Sequence, residues 1–299
     1  MRFAESVRIV LSLALVMTLV IPSVVLAQAW LPARGQGSAT IGYQYLSVDN
    51  HLFSDGTEFD FGEIFSSTGV ISLQYGILRN LAVDANLAAV AAKFGGPSGF
   101  AESGIDNGIY HGELQDFSLR VRYMAFNKPF VATPFIGVVV PTHGYETLGH
   151  AAVGRNLTEL QLGLSAGRVL YPFLSDVYVQ GRYAYTLTEE IGDIGVDRSN
   201  LDFAAGYFLT ERITVSGFTN LQFAHDGIDW LQITSETGHA HDRLAATSYT
   251  RFGGAVAYGL FPNFDVSVSF GSTVSGENTH DAKTFDIATT WSFDRFGRR

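Results

Sequence analysis

Five times in this chain a tyrosine is followed eight residues later by a valine, across a short turn-forming stretch. The copies are Tyr75/Val83, Tyr123/Val131, Tyr171/Val179, Tyr207/Val215 and Tyr258/Val266. The 13 tyrosines would meet one of the 25 valines at that offset about once by chance, so five copies mark an internal repeat. The sixth position after each tyrosine is also apolar: Leu81, Pro129, Val177, Ile213 and Phe264. Between them lie turn formers such as Arg79-Asn80, Asn127-Lys128, Ser175-Asp176, Thr210-Glu211 and Pro262-Asn263. Successive copies are 48, 48, 36 and 51 residues apart, which leaves room for two strands and one long loop each. A hairpin repeated at that spacing points to a closed antiparallel β-barrel.

The strands themselves alternate as an up-and-down barrel requires. In Phe117-Ser118-Leu119-Arg120-Val121-Arg122-Tyr123 every odd position is apolar and every even one polar. Phe285, Ile287, Trp291 and Phe293 likewise share a face opposite Asp286, Thr290 and Ser292. Period reading predicts twelve strands, at 37–48, 67–77, 81–93, 113–125, 130–142, 156–169, 176–188, 199–209, 212–225, 246–259, 264–275 and 283–293. The five tyrosine–valine turns join them pairwise on one side. Six longer connections fall near 49–66, 94–112, 143–155, 189–198, 226–245 and 276–282 on the other. Short turns opposite long loops, with both termini on the short side, match a transmembrane barrel of outer-membrane type, and an even count leaves no free edge. The third repeat is out of phase: Tyr171 has the parity of Gln161 and Ser165, not of Leu162 and Leu164, which predicts a bulge or longer turn there. A soluble β-sandwich is the competing architecture. It would need roughly ten-residue strands throughout, whereas tyrosine at the turn end of an outward face is where an interfacial girdle sits.

Composition agrees with export to a membrane. Arg2 and Arg8, an apolar run from Ile9 to Ile21, and Ala27-Gln28-Ala29 read as a cleaved signal peptide over 1–29, leaving 30–299 as the barrel domain. Cleavage after Ala27 and after Ala29 fit equally well. A membrane anchor is the alternative, but the run is short for one. Without the leader's Arg2, Arg8 and Glu5, 17 basic and 28 acidic side chains remain, a net charge of −11 that argues against nucleic acid as a partner. There is no cysteine, so no disulfide supports the fold. No later apolar run approaches the roughly 18 residues a membrane helix needs. With 32 glycines, 23 phenylalanines and three lysines, the chain fits a barrel in the outer membrane of a Gram-negative bacterium, surrounded by outer-membrane lipid and lipopolysaccharide. The last strand ends Trp291-Ser292-Phe293, which resembles the sorting signal read by the barrel-insertion machinery, a further expected partner. Asp294 to Arg299 follow it, a departure from that signal's usual place.

Leu52-Phe53-Ser54-Asp55-Gly56-Thr57-Glu58, Gly62-Glu63, Leu73-Gln74-Tyr75-Gly76-Ile77 and Leu81-Ala82-Val83 carry more than architecture, as do Pro141-Thr142-His143-Gly144 and Tyr258-Gly259-Leu260. In these stretches the chain resembles the outer-membrane transporters associated with the meta-cleavage pathway of phenol degradation. The resemblance implies a barrel and small hydrophobic or aromatic cargo. It brings no functional residues with it.

Opposite the expected lipid face the strands project Asp84, Asp116, Arg120, Arg122, Glu159, Arg182, Asp202, Arg251, Asp265 and Asp286, the lumen-lining candidates. Acids and arginines should pair there, since a lone buried charge is costly. The pairs either line a solute path or form a polar core that conducts nothing. A twelve-strand bore should be narrow, and the eight to ten residues before the first strand offer no plug. Pro134 and Pro141 each remove a ladder donor, with Gly137 between them, which predicts a pairing defect: a harmless bulge or a lateral opening toward lipid.

All eight histidines fall in the long loops or at their edges. His239 and His241, next to Asp242, are the densest group and a weak metal candidate; no resident metal or cofactor is expected. A lipid hydrolase would need a serine beside a histidine on the outer wall, and neither His143-Gly144-Tyr145 nor His225-Asp226-Gly227 offers one in sequence. The expectation is a non-enzymatic, passive channel. A non-conducting structural or adhesive barrel comes next, and a hydrolase last.

Overall fold

The computed structural model describes residues 29–60, 62–96, 104–233 and 242–294. Of the expected leader over 1–29, residues 1–28 lie outside the described residues, as do His239 and His241. Thirteen strands follow one another: β1 Gln36–Leu52, β2 Glu58–Phe59, β3 Ile64–Leu78, β4 Leu81–Phe94, β5 His111–Tyr123, β6 Val131–Pro141, β7 Glu159–Leu170, β8 Leu174–Thr188, β9 Arg198–Phe208, β10 Ile213–Ala224, β11 Ser248–Phe261, β12 Phe264–Glu277 and β13 Thr279–Asp294. From β3 onward each pairs antiparallel with the next; β1 pairs β3, and β13 returns to β1, closing the ring. β2 has two residues and pairs only with His51 and Leu52 of β1, so the wall holds the twelve strands expected. No described helix is long and apolar enough to cross a membrane.

The tyrosine–valine repeat is a cross-strand pair. Tyr75 faces Val83, Tyr207 faces Val215 and Tyr258 faces Val266 in direct register. In the other two copies, with Pro129 and Pro172 in their turns, the tyrosine and valine are not ladder partners. There the hairpins open differently: Phe126 bridges to Ala132, and Val179 pairs with Arg168. A register shift at Val169/Leu170 leaves Tyr171 in the turn, 69% exposed. This is the longer turn that its parity predicts.

Outward positions are apolar and open to the surroundings, among them Phe117, Leu119 and Val121 on β5, Leu160, Leu162 and Leu164 on β7, and Phe252 and Val256 on β11. In water such a belt would be an uncovered apolar surface; in lipid it is solvated. The glycines have a second role in the wall. Several face an aromatic residue across the ladder with that ring close against them, among them Gly37 with Phe293, Gly163 with Phe135, Gly206 with Tyr178, Gly181 with Phe203 and Gly253 with Phe218. A Cβ on Gly163 would lie 2.3 Å from the Phe135 ring, and one on Gly253 would lie 2.1 Å from Phe218. The rings lie flat over the missing side chains, so wall and lumen fill without bulk.

Two expectations change at the loop end. The connection near 276–282 is a tight turn at Asn278, whose φ of +48° lies in the left-handed region that asparagine tolerates. The strands beside it run on, so His280 lies within β13 and its cross-strand partner His51 within β1 rather than in loops, while His111 opens β5 at a loop edge as expected.

Candidate functional site: the lumen and its two ends

Alternation turns the charged residues inward, where most of them pair. Arg122, 1% exposed, grips Asp84 with Nε and Nη2 at 2.8 and 2.9 Å. Only the Nη2 contact has hydrogen-bond geometry; with the close approach of Nε it pairs a buried carboxylate with a buried cation. Arg182 Nε lies 2.8 Å from Asp202, which also accepts from Asn220 Nδ2 at 2.8 Å. Asp286 accepts from Gln44 Nε2 at 2.8 Å and from Ser269 Oγ at 2.9 Å. Glu159 pairs with Arg198, a residue that alternation did not single out because it opens β9 beside a loop. Asp116 takes a hydrogen bond of 2.7 Å from the Tyr145 hydroxyl, and Asp265 borders the turn-end cavity. Two arginines depart from the pairing rule. Arg120 lies 4.8 Å over the Phe135 ring and Arg251 lies 5.3 Å over Tyr249, and the Nε of each has no hydrogen bond among the described residues. Aromatic faces stand in for carboxylates there.

The turn end is crossed by the chain itself, contrary to the expectation that no plug is available. Ala29 to Pro32 run across the lumen instead of leaving it. Thr133 Oγ1 on β6 donates to the Ala29 carbonyl at 2.7 Å, and Ala29 N donates to Gln180 on β8 at 3.4 Å. Arg122 Nη1 reaches the Trp30 carbonyl at 3.3 Å, and the Trp30 ring meets Tyr178 edge-on at 6.2 Å. Gly76 leaves room for the crossing, because a Cβ there would lie 2.2 Å from the Ala33 carbonyl oxygen. Below the segment is a cavity of about 860 Å³ bordered by Trp30, Tyr178, Phe208 and Phe293 together with Gln180 and Asp265. Residue counting missed this plug because four residues suffice once they are anchored to the far wall.

The loop end is packed with side chains among the described residues. Phe94, Val48, Ile64, Ala151 and Ala282 form one apolar cluster; Leu157, Val196, Ile228 and Leu244 form another. Asp106, buried, accepts from His150 N and Nδ1 at 2.9 and 3.0 Å and from Ala151 N at 2.9 Å. Burial opposes its charge, but these hydrogen bonds outweigh it and hold the carboxyl below the ordinary carboxylate value. Burial likewise disfavours the His150 imidazolium, yet the bond to Asp106 and the charges of Asp242 and Asp106 keep its pKa raised. Tyr145 is pushed up by burial and by its hydrogen bond to Asp116. Burial, with Arg198 nearby, brings Arg155 down to about 10. Arg243 donates to the carbonyls of Arg155 and Asn156 at 2.8 and 3.1 Å, tying two loops together over a cavity of about 320 Å³.

The wall is lowest at β6. Its ladder with β5 runs in register from Asp116/Pro141 to Arg122/Phe135 and stops beside Pro134; pairing resumes one residue out of register at Phe126/Ala132, so the expected defect falls at Pro134 while Gly137 makes none. That ladder is the shortest in the ring. β5 residues 111–114 pair only with β4, and Thr142 Oγ1 reaches the Gln115 carbonyl at 2.7 Å. On the outer wall, Ser199 lies 2.7 Å from His225 Nε2, a serine–histidine contact supplied by neighbouring strands that sequence spacing does not show. Ser199 is 6% exposed and also bonds the Tyr183 hydroxyl at 2.9 Å, and no carboxylate hydrogen-bonds the His225 ring among the described residues.

No family model and no curated protein matches the chain. Solved structures do. The chain is similar to an outer membrane channel from Pseudomonas putida F1, at 13% identity and a TM-score of 0.68, over 92% of this chain and 100% of that one. It is also similar to the translocator domain of the autotransporter NalP from Neisseria meningitidis, at 13% identity and 0.51, over 88% and 90%. The NanC porin follows at 10% identity and 0.50, over 85% and 98%. At these identities the likeness is one of fold: a closed twelve-strand barrel of outer-membrane type.

Proposed function

We propose that this chain is an outer-membrane channel for passive uptake of small hydrophobic compounds, aromatic ones among them. The observation that carries the reading is the turn-end cavity, which has the size of a small-molecule site and four aromatic rings on its border. The crossing segment narrows the turn end, and the aromatic border of the cavity beside it suits an apolar cargo better than ions or sugars. The fold shared with a Pseudomonas putida outer membrane channel is compatible with that role. In this reading the short turns face the periplasm and the packed loops face outward, with lipopolysaccharide around the loop end and the insertion machinery reading β13. Cleavage after Ala27 would keep Ala29 and its two hydrogen bonds in the lumen; cleavage after Ala29 would remove them.

The low wall at β6 is the candidate exit toward lipid. Proteoliposomes holding the protein should take up an apolar aromatic tracer faster than protein-free vesicles, and Pro134→Val with Pro141→Val should slow them by completing the ladder. Unchanged uptake in that double variant sinks the lateral exit, and uptake no faster than in empty vesicles sinks the channel. The second reading, a sealed structural or adhesive barrel, draws on the charge pairs Arg122–Asp84 and Arg182–Asp202, which tie neighbouring wall strands together on the lumen side.

A further inference from the structure

At the loop end of the barrel seam, His51 on β1 and His280 on β13 are direct cross-strand partners. Their Nε2 atoms face each other at 3.2 Å. Two nitrogens bound to one tetrahedral zinc ion, each about 2.0–2.1 Å from it, lie roughly 3.3 Å apart. The two rings are therefore already spaced as ligands. Asp242, from the connection before β11, brings a carboxylate oxygen to 3.8 Å from His280 Nε2, and one ligand atom from each of the three residues falls within 4.8 Å of the others.

The three side chains are held in place by features independent of any ion. The cross-strand register fixes the two histidines, just beyond a bulge between Val48 and His51. The Trp230 ring packs 5.3 Å from His51 and 5.4 Å from His280, limiting how far either can rotate. Asp242 precedes Arg243, whose guanidinium is anchored on two loop carbonyls, and Leu244, which is buried in a loop core. His51 is 2% exposed, so a cation there would be shielded from water on one side and would face the loop-end cavity on the other, where Asp242 and His280 border it.

We propose that His51, His280 and Asp242 form a zinc-binding site that ties the connection before β11 to the seam of the barrel. Two imidazoles and one carboxylate suit a borderline-soft divalent ion rather than calcium or magnesium, which prefer all-oxygen shells. Three protein ligands leave a fourth position for water. The effect would be a staple: a loop at the mouth is fastened across the point where the first and last wall strands meet.

The test is metal binding by tag-free, full-length protein in detergent, stripped with a chelator and dialysed against zinc. The wild type should bind one zinc ion per chain. His51→Ala and His280→Ala should each abolish it, and Asp242→Asn, which preserves side-chain shape, should weaken it about tenfold or more. His111→Ala, remote on β5, should bind as the wild type does. Zinc should raise the unfolding temperature of the wild type and not that of His280→Ala, with magnesium doing neither. Each variant is first checked for the fast-migrating unboiled band of a folded barrel. Zinc retained by the His51→Ala/His280→Ala double variant, or no stoichiometric zinc on the wild type, overturns the proposal.

Discussion

At the turn end of this barrel the strands are joined by hairpins so short that chain connectivity sets the structure. At the loop end almost nothing is set by connectivity, and the mouth is held by long-range packing. Three of the five turns place tyrosine opposite valine in direct register. The loop end depends instead on contacts between residues far apart in sequence, such as Asp106 with His150 and Ala151, or Arg243 with Arg155. The first kind of order is a local pattern repeated; the second is a set of single solutions. Between them lies the charged belt of the lumen, which combines both: alternation aims the side chains, and only folding decides the partners.

Breaking that belt should have the largest effect. Arg122→Ala leaves Asp84 buried without its cationic partner, and should cost about 3–5 kcal/mol in urea unfolding from lipid vesicles. Lys283→Ala, which removes a rim contact to Asp49, should leave the same transition unmoved. Equal shifts in the two variants would mean that the belt is no more important than the rim. Next comes the packing of the wall. Gly163→Ala puts a methyl 2.3 Å from both the Phe135 ring and the Tyr183 carbonyl, and should cost about 1–3 kcal/mol. Gly69→Ala, where nothing lies nearer than 3.9 Å, should be tolerated.

These contrasts also show what could be read from the chain alone. The twelve strands, the out-of-phase turn at Tyr171 and the inward set from Asp84 to Asp286 follow from a period of two and from turn chemistry, both of which are local. The plug at Ala29 to Pro32 does not, because its anchors, Thr133 and Gln180, lie more than a hundred residues away. Neither does the stacking of Arg120 on Phe135, since alternation shows that a side chain points inward but not what it meets. His51 and His280 read as loop residues because the strand extensions depend on a single left-handed residue, Asn278.

Smaller effects should appear at the two ends. Asp106→Asn should speed amide exchange at His150 and Ala151 while leaving the wall strands protected. Because the Asp106 pKa is depressed in the folded state, its contribution is present above the unfolded carboxylate value and is lost as pH falls through the folded one. Wild-type loop protection should therefore decline on the acid side, and the asparagine variant should show no such decline. At the turn end, Thr133→Val removes the hydroxyl that holds the Ala29 carbonyl and should raise ion conductance modestly, with unfolding nearly unchanged.

The most direct test of the hydrophobic-channel reading pairs two permeabilities of one wild-type preparation: planar-bilayer ion conductance and vesicle uptake of an apolar aromatic tracer. A lumen crossed at its turn end by Ala29 to Pro32 predicts low conductance together with tracer uptake well above that of empty vesicles. High, steady conductance without accelerated aromatic uptake would contradict it.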